Sequence, residues 1–257
     1  MLGRMSVSGT VESQNRRAAL LELADSGATV RIDEAAERFG VSPMTIRRDL
    51  ADLESSGRLR RVRGGAIAAP TPQPFHRRRT LNVAAKRVIA RKALTLVPAS
   101  GTIALDASST ISLVAATLGA RSGLTVFTNS VDTFALLAET AGVSPLLAGG
   151  SPEPTTGSLT GPLAVGSIRS LYFDLALTSA DAVDPGAGTS EVSLAEAEVK
   201  RALVEQASRC VVAVDSTKLG RRSVAAAVAM EHVDALITEL DPADERLAGF
   251  RGVVELL

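Results

Sequence analysis

The chain has 257 residues, and 46% of them are hydrophobic, which is enough to bury a substantial core and more than a usual single domain requires. Residues 1–80 hold 14 basic and 9 acidic residues, a net charge of +5, whereas residues 81–257 hold 14 basic and 19 acidic residues, a net charge of −5. A single cysteine excludes an intrachain disulfide, and the absence of a signal peptide or a long apolar stretch predicts a cytoplasmic protein without a membrane span.

The first 40 residues predict a small helical domain. Residues 1–11 lack a periodic pattern and are expected to be loose, whereas residues 17–24 predict a first supporting helix. Residues 32–39 predict a second, amphipathic helix. Gly40 follows in a tight connection, where glycine can take the positive φ of a residue just beyond a helix. Helix, short glycine-containing turn and a further helix together form a helix-turn-helix unit.

The helix predicted after this turn has the character of a DNA recognition helix. Ser42 stands where an N-cap hydroxyl is needed, and Pro43 occupies the first helical position. One stripe of the helix is apolar and would face inward: Ile46, Leu50 and Leu53. The opposite face carries polar and charged groups that can reach base edges or phosphates: Thr45, Arg47 and Arg48.

A basic β-hairpin is predicted directly after the recognition helix, over residues 57–66. Leu59 and Val62 alternate there with Arg58, Arg60, Arg61 and Arg63, and the segment ends on a Gly-Gly pair. We interpret it as a wing whose arginines reach phosphates or the minor groove. The alternative is a small solvated three-helix domain with a basic edge. The residues predicted to bind DNA are Ser42, Pro43, Thr45, Arg47, Arg48, Arg58, Arg61, Arg63, Gly64 and Gly65.

The predicted domain boundaries place a winged helix-turn-helix at 13–68, a linker at 69–83 and an α/β domain at 84–257. Three prolines within residues 68–74 favour an extended spacer. Residues 76–79, His-Arg-Arg-Arg, allow two interpretations. They could form an additional phosphate-binding patch, or a solvated basic segment that docks on the acidic domain.

The remainder of the chain alternates short apolar runs with amphipathic segments, which predicts a mostly parallel sheet covered by helices on both faces. The predicted strands are residues 102–105, 124–128, 145–148, 174–178, 210–214 and 235–238. The predicted helices are residues 84–96, 111–118, 131–140 and 194–208. Ligands of such sheets bind beyond the carboxyl ends of the strands, and polar clusters follow several of these strands, at 106–110, 128–129, 149–150, 179–181 and 215–218.

Several of these segments together resemble the DeoR family of bacterial transcriptional regulators, collinearly from about residue 13 to the end. The motifs are Thr-Ile-Arg-Arg-Asp-Leu at 45–50, Arg-Val-Arg-Gly-Gly-Ala at 61–66, Leu-Asp-Ala-Ser-Ser-Thr at 105–110, Thr-Asn at 128–129, Ala-Gly-Gly at 148–150, Glu-Val-Lys-Arg at 198–201 and Asp-Ser-Thr-Lys-Leu-Gly at 215–220. The resemblance implies a winged helix-turn-helix followed by a sensor domain similar in fold to phosphosugar isomerases. It also implies repression of sugar-catabolic genes until a phosphorylated sugar binds.

The resemblance and the strand-end clusters predict an anion site where hydroxyls and backbone N–H groups meet at a helix N-terminus. The predicted effector-binding residues are Asp106, Ser108, Ser109, Thr110, Asn129, Gly150, Lys200 and Lys218. Only four residues of the chain are lysines, which draws attention to the two near strand ends. Each has a plainer explanation, because Lys200 could pair with Glu196 on a helix surface and Lys218 could lie in a solvated loop.

The chain also departs from the family pattern. Ser108 replaces a glycine of the phosphate loop, and Ser-Ala-Asp-Ala at 179–182 lacks two glycines of a later motif. If the glycine at 108 takes positive φ, serine would cost about 1 kcal/mol or block close approach of a phosphate. Arg31 stands where Ser or Thr would cap the second helix. We therefore hypothesise an unusual effector, or weak binding of a phosphosugar.

Two classes of function follow from the sequence. The favoured one is a DNA-binding repressor, at least dimeric, that senses a small molecule and uses no catalytic residue, metal or cofactor. The alternative is a phosphosugar isomerase with a regulatory DNA-binding module. An isomerase needs a general base, for which Asp106, Asp181 and Asp215 are candidates by position alone, while His76 and His232 lie outside the strand-end clusters.

Overall fold

The structure, a computed structural model, describes residues 7–25, 29–55, 58–68, 74–119 and 122–257. The chain divides into two units, Met1–Thr71 and Pro72–Leu257, called here the amino-terminal and carboxy-terminal units. Parts of three predicted segments lie outside the described residues: positions 1–6 of the stretch expected to be loose, position 57 at the start of the wing, and positions 69–73 of the linker.

The amino-terminal unit is a winged helix-turn-helix, as the sequence predicts. Its helices are α1 (Val7–Asp25), α2 (Ile32–Phe39) and α3 (Pro43–Ser55), and its strands are β1 (Val30–Arg31), β2 (Leu59–Val62) and β3 (Gly65–Ala68). The three strands form an antiparallel sheet in the order β1-β3-β2. Leu20, Ile46, Leu50 and Leu59 are fully buried, so one core joins α1, α3 and the wing.

The first helix corrects one expectation. Residues 7–11 were expected to be loose but belong to α1, which starts at Val7 and not near Arg17. Extending an existing helix fixes one residue for each new hydrogen bond, so a helix anchored by its packed carboxy-terminal half continues through residues that carry no periodic signal of their own.

The carboxy-terminal unit contains a seven-stranded parallel sheet, which confirms the predicted α/β class. Its order is β15-β14-β12-β9-β4-β5-β6. The strands are β4 (Gly101–Leu105), β5 (Leu124–Thr128), β6 (Val143–Leu147), β9 (Leu175–Thr178), β12 (Cys210–Ala213), β14 (Ala235–Ile237) and β15 (Glu255–Leu256). The helices are α4 (Phe75–Thr80), α5 (Val83–Leu94), α6 (Ser109–Thr117), α7 (Val131–Ala138), α8 (Pro162–Arg169) and α9 (Leu194–Glu205).

Helices cover both faces of this sheet. Ile103 and Leu105 of β4 belong to a core that contains residues of α5, α6 and α7, whereas Ala104 between them belongs to a core that contains residues of α8 and α9. Successive side chains of a strand point to opposite faces, so a strand buried on both faces is a continuous apolar run. Cys210 at the start of β12 is buried in the core of this unit.

Several elements were not predicted. The segment 69–83 was treated as a linker, but it contains α4, which belongs to the carboxy-terminal unit. Beside the main sheet lie a hairpin of β7 (Ser151–Pro152) and β8 (Leu159–Thr160) and an antiparallel sheet of β10 (Ala182–Asp184), β11 (Gly188–Glu191) and β13 (Ala225–Ala226). These elements are too short and too polar for hydrophobic periodicity to reveal them.

Candidate DNA interface and effector cleft

The turn between α2 and α3 depends on Gly40. This residue has φ +62°, and no atom lies within 4 Å of where its Cβ would be, so the backbone conformation and not packing explains the glycine. The N–H of Val41 donates to the carbonyl of Ala36 at 3.1 Å, which closes the end of α2. Arg31 precedes α2 without a side-chain cap, as expected from its sequence.

The start of α3 is capped as predicted. The backbone N–H of Thr45 donates to Oγ of Ser42 at 3.1 Å, and the hydroxyls of Ser42 and Thr45 lie 2.9 Å apart. Pro43 is the first residue of the helix, where a backbone N–H is not needed. Arg47 and Arg48 are exposed on the face opposite the buried stripe. Neither forms an ion pair with a carboxylate within the part of the chain that the structure describes, so both guanidinium groups are available to a partner.

Asp49 is a structural residue that the sequence analysis did not single out. Its side chain is buried, and its carboxylate accepts hydrogen bonds from Nε of Arg16 at 2.6 Å and Nε of Arg17 at 2.8 Å. Burial alone would raise the pKa of Asp49, but the two arginines outweigh it and hold the pKa below its ordinary value. This cluster ties α1 to α3 and so fixes the orientation of the recognition helix.

The wing is held against the rest of the unit by two backbone contacts. Gly65 packs so tightly on β1 that a Cβ at this position would lie 2.1 Å from the carbonyl oxygen of Val30. The N–H of Arg61 donates to Oε1 of Glu54 at 3.0 Å. Gly64 turns the hairpin with φ +82°. The predicted wing arginines are all exposed and, among the described residues, carry no ion pair: Arg58, Arg60, Arg61 and Arg63.

In the carboxy-terminal unit a polar cleft lies beyond the carboxyl ends of β4 and β5, where the sequence places its polar clusters. Its lining comes from the β4–α6 loop, the residue after β5, the end of β11, α9 and α4. The lining residues are Arg78, Asp106, Ala107, Ser108, Asn129, Glu191, Glu196, Val199 and Lys200. Four predicted effector residues therefore meet here, and they are Asp106, Ser108, Asn129 and Lys200.

A buried ionic network forms the floor of the cleft. Nζ of Lys200 donates to Oε1 of Glu191 at 2.5 Å and to the carbonyl of Ser179 at 2.6 Å, and it lies 3.1 Å from Oδ2 of Asp106. Two of its three N–H donors are thus engaged in hydrogen bonds, and the ammonium group forms ion pairs with Glu191 and Asp106. Lys200 thus holds the floor of the cleft together.

The charges of this network are strongly coupled. Burial raises the pKa of Glu191 to about 7, and Glu196 and Asp181 add to the rise while Lys200 opposes it. The pKa of Lys200 is raised because the neighbouring carboxylates outweigh its own burial. Glu196 does not pair with Lys200 on a helix surface, since it accepts hydrogen bonds from the hydroxyls of Thr156 at 2.8 Å and Ser158 at 2.7 Å.

Two groups in the cleft retain unused hydrogen-bonding capacity. Asn129 is 3% exposed, and its Nδ2 donates to the carbonyl of Leu159, but its Oδ1 is buried with no partner among the described residues. Nε and Nη2 of Arg78 are likewise buried without a described acceptor, and the guanidinium lies 5.7 Å from the ring centre of Phe75. Arg78 belongs to the segment 76–79 but was not predicted as an effector residue, because no strand-end motif marks it.

Lys86 of α5 is a second residue that sequence reasoning missed. It is buried, and its Nζ donates to the carbonyl of Arg78 at 2.6 Å and to Oγ of Ser109 at 3.0 Å. Burial lowers the pKa of Lys86 to about 8; Lys218 and Arg78 lower it further, against an opposing effect of Asp215. Segment 76–79 was given two interpretations, a phosphate-binding patch or a basic segment that docks on the acidic unit. The second one describes α4.

The other predicted effector residues have different surroundings. Gly150 has φ +116°, and a Cβ there would lie 2.5 Å from the carbonyl of Thr160, so this glycine serves the packing next to β7. Lys218 lies 3.3 Å from Asp181 and does not line the cleft. Ser109 and Thr110 are buried in the first turn of α6, next to the lining residues.

Family models match both units of the chain. A model of the DeoR-like helix-turn-helix domain matches residues 16–71, and a model of the DeoR C terminal sensor domain matches residues 81–240. The chain belongs to the DeoR family. It is accordingly a DNA-binding transcriptional regulator, with its recognition helix and wing in the first matched segment and every residue of the cleft lining except Arg78 in the second.

Curated relatives of this DeoR-family chain are regulators over nearly their whole length. The HTH-type transcriptional regulator GolR of Listeria innocua is 34% identical, over 89% of this chain and 90% of the relative. The putative aga operon transcriptional repressor of Escherichia coli is 30% identical, over 97% and 93%. The glycerol-3-phosphate regulon repressor of Escherichia coli is 29% identical, over 90% and 93%.

The structure also corrects one expectation about the altered loop of this family member. Ser108 has φ −93°, so a serine fits this backbone without the strain expected for a left-handed residue. Its Oγ caps α6 by accepting from the N–H of Ile111 at 3.2 Å, and its own N–H donates to Oδ1 of Asp106 at 3.1 Å.

Across the described residues, no helix is both long and apolar enough to cross a membrane, and no cluster of three potential metal ligands is present.

Proposed function

We propose that the protein is a repressor of sugar- or polyol-related genes that binds its operator through α3 and the wing. The exposed arginines on these two elements, which form no ion pair among the described residues, carry the proposal, because they lie on one capped helix and one hairpin that a shared core holds together. Arginine forks bind guanine edges and phosphates, so this surface suits the major groove and the flanking backbone. Symmetric operators require a symmetric protein, and we therefore propose a homodimer or a larger oligomer.

We further propose that a phosphorylated sugar or polyol in the cleft relieves repression. The cleft combines a guanidinium that can bind an anion with several acceptors that can bind hydroxyls: Asp106, Asn129, Glu191 and Glu196. The names of the relatives that act on the aga operon and the glycerol-3-phosphate regulon support this class of effector. The three carboxylates in the lining suit a ligand that carries several hydroxyl groups beside its anionic group.

The proposed regulator is not an isomerase. Of the candidate bases, Asp106 accepts from the N–H groups of Ser108 and Ser179 and pairs with Lys200, so it is part of the ionic floor of the cleft. Asp215 caps a short 3₁₀ turn by accepting from the N–H of Thr217, and Asp181 pairs with Lys218. A general base must be free to take a proton from its substrate, and none of these three carboxylates meets that requirement.

A band shift on the DNA upstream of the protein's own gene tests both parts of the proposal. We expect sequence-preferring binding that weakens as salt rises, and release of the DNA by at least one member of a panel of sugar and polyol phosphates. Equal affinity for a shuffled DNA fragment would overturn the operator-binding part. Turnover of an aldose phosphate by the purified protein would instead support the isomerase.

A further inference from the structure

We infer that Arg78 of α4 binds the anionic group of the effector, so that the segment following the boundary between the two units forms one wall of the effector site. This inference rests on the proposed sensing function and assigns the role of anion ligand to a residue outside the family motifs quoted above. Sequence reasoning gave that role to Lys200 and Lys218. Both are already engaged by protein groups, because Lys200 bonds Glu191 and the carbonyl of Ser179 beside Asp106, and Lys218 pairs with Asp181 outside the cleft.

The state of the Arg78 side chain points to a ligand. Arginine remains charged at every physiological pH, and leaving a buried charged donor without an acceptor destabilises the protein more than leaving a neutral one. Nε and Nη2 of Arg78 are two such buried donors among the described residues. Nε and one Nη of an arginine form the edge of the fork that binds two oxygens of a phosphate or carboxylate at once.

The surroundings of Arg78 complete a site for a phosphorylated polyol. The first turn of α6 borders the same cleft; Ser108 Oγ accepts from the N–H of Ile111, and the positive end of the helix dipole favours an anion there. Asn129 lines the cleft and is 97% buried, and its Oδ1, which has no partner among the described residues, can accept a hydrogen bond from a hydroxyl. The site therefore offers donors for the anionic end of a ligand and an acceptor for the hydroxyl-bearing part.

Because Arg78 lies on α4, a ligand bound to its side chain would restrain this helix. Lys86 holds the carbonyl of Arg78 and the hydroxyl of Ser109 together, so the backbone of α4 is fastened beside the start of α6. A ligand that bridges the Arg78 side chain and the first turn of α6 would fasten α4 a second time. Because α4 follows the unit boundary at Pro72, the effector acts directly on the segment that leads to the DNA-binding unit.

The test compares Arg78→Gln with Arg79→Gln in the full chain. Arg79 is a matched control because it lies on the same helix and near the same Phe75 ring, but is exposed and absent from the cleft lining. The probe is inorganic phosphate, followed by calorimetry or by the shift in thermal unfolding. We expect saturable binding to the wild type, at least tenfold weaker binding to Arg78→Gln, and a change of less than twofold for Arg79→Gln.

Stability separates a binding role from a structural one. Removing a buried charge that lacks a partner should leave the unfolding midpoint of Arg78→Gln at or above that of the wild type, whereas a structural arginine would lower it. Equal phosphate affinity in wild type and Arg78→Gln, or no saturable phosphate binding to the wild type, would overturn the inference. DNA binding provides the independent check: the wild type should shift the upstream fragment, and failure of the wild type to bind DNA would refute the proposed function itself.

Discussion

Glu191 and Asp106 share one ammonium group, that of Lys200, whose Nζ lies 2.5 Å from Oε1 of Glu191 and 3.1 Å from Oδ2 of Asp106. Two carboxylates and one lysine leave a net negative charge when both acids are ionised. Burial raises the pKa of Glu191 to about 7, so this excess charge is present above neutrality and is removed by protonation below it. The protonation of one floor residue thus sets the charge that an anionic effector meets.

The affinity for a phosphorylated effector is therefore expected to rise as pH falls through about 7. Below that pH Glu191 is neutral and Asp106 is balanced by Lys200, whereas above it the floor repels an anion. We expect about a fivefold difference, corresponding to roughly 1 kcal/mol for charges separated by a partly solvated cleft. Calorimetry between pH 6 and pH 8 on wild type and Glu191→Gln measures it. The ionisation of the phosphate itself is common to both proteins, so identical pH slopes would contradict the role given to Glu191.

Lys200 is expected to be a stability residue and not an effector ligand. Lys200→Met leaves two buried carboxylates without a counter-charge, and breaking such a pair costs roughly 3–5 kcal/mol of unfolding free energy. Lys218→Met is the control, because the pair of Lys218 and Asp181 is about one-third exposed and should contribute at most about 1 kcal/mol. Urea unfolding followed by circular dichroism distinguishes them. Similar losses for both variants would show that Lys200 is not the centre of the network.

Asp49 is expected to stabilise the amino-terminal unit. Asp49→Asn removes the charge that Arg16 and Arg17 share, and because these arginines are partly exposed we expect a loss of roughly 1–3 kcal/mol. Asp52→Asn, which alters an exposed partner of Arg17, should cost less than about 1 kcal/mol. Chemical unfolding of the two variants gives both values.

The ion pairs of Asp49 with Arg16 and Arg17 also predict that the stability of the protein depends on pH. The pKa of Asp49 is lowered in the folded protein, so its contribution is present above the ordinary carboxyl pKa and is lost as pH falls below about 4. Asp49→Asn should be less sensitive to acid over that range than the wild type. An unchanged acid profile would argue against a charged Asp49 in the fold.

The elements predicted from sequence are those with strong local signals. Ser42, Pro43 and Gly40 mark the ends of helices through their own backbone chemistry, and the apolar strands of the parallel sheet are long enough to recognise. Residues whose roles arise from distant contacts were missed. Asp49 is bound by arginines of another helix, and the unsatisfied side chain of Arg78 becomes visible only when α4 is seen beside the cleft.

Lys200 shows a different limit of sequence reasoning. Its type and position near strand ends suggested a ligand for an anion, and it lines the cleft, but it also pairs with Asp106, which follows β4, and with Glu191, which ends β11 nine residues before it. Sequence spacing offered only Glu196 as a partner, which in the fold binds Thr156 and Ser158. Side-chain partners across a sheet depend on topology, which hydrophobic periodicity does not specify.

The most direct test of operator recognition by α3 measures affinity for the upstream DNA, and for a shuffled fragment, over a series of salt concentrations. Arg48→Ala is compared with the wild type and with Arg91→Ala, an exposed arginine of the carboxy-terminal unit. We expect Arg48→Ala to lose about 1–3 kcal/mol of preference for the upstream fragment if Arg48 contacts a base. If it contacts a phosphate, we expect weaker binding to both fragments and a salt slope reduced by about 1. Arg91→Ala should match the wild type, and an Arg48→Ala protein that also matches it in affinity, preference and salt slope would contradict recognition by α3.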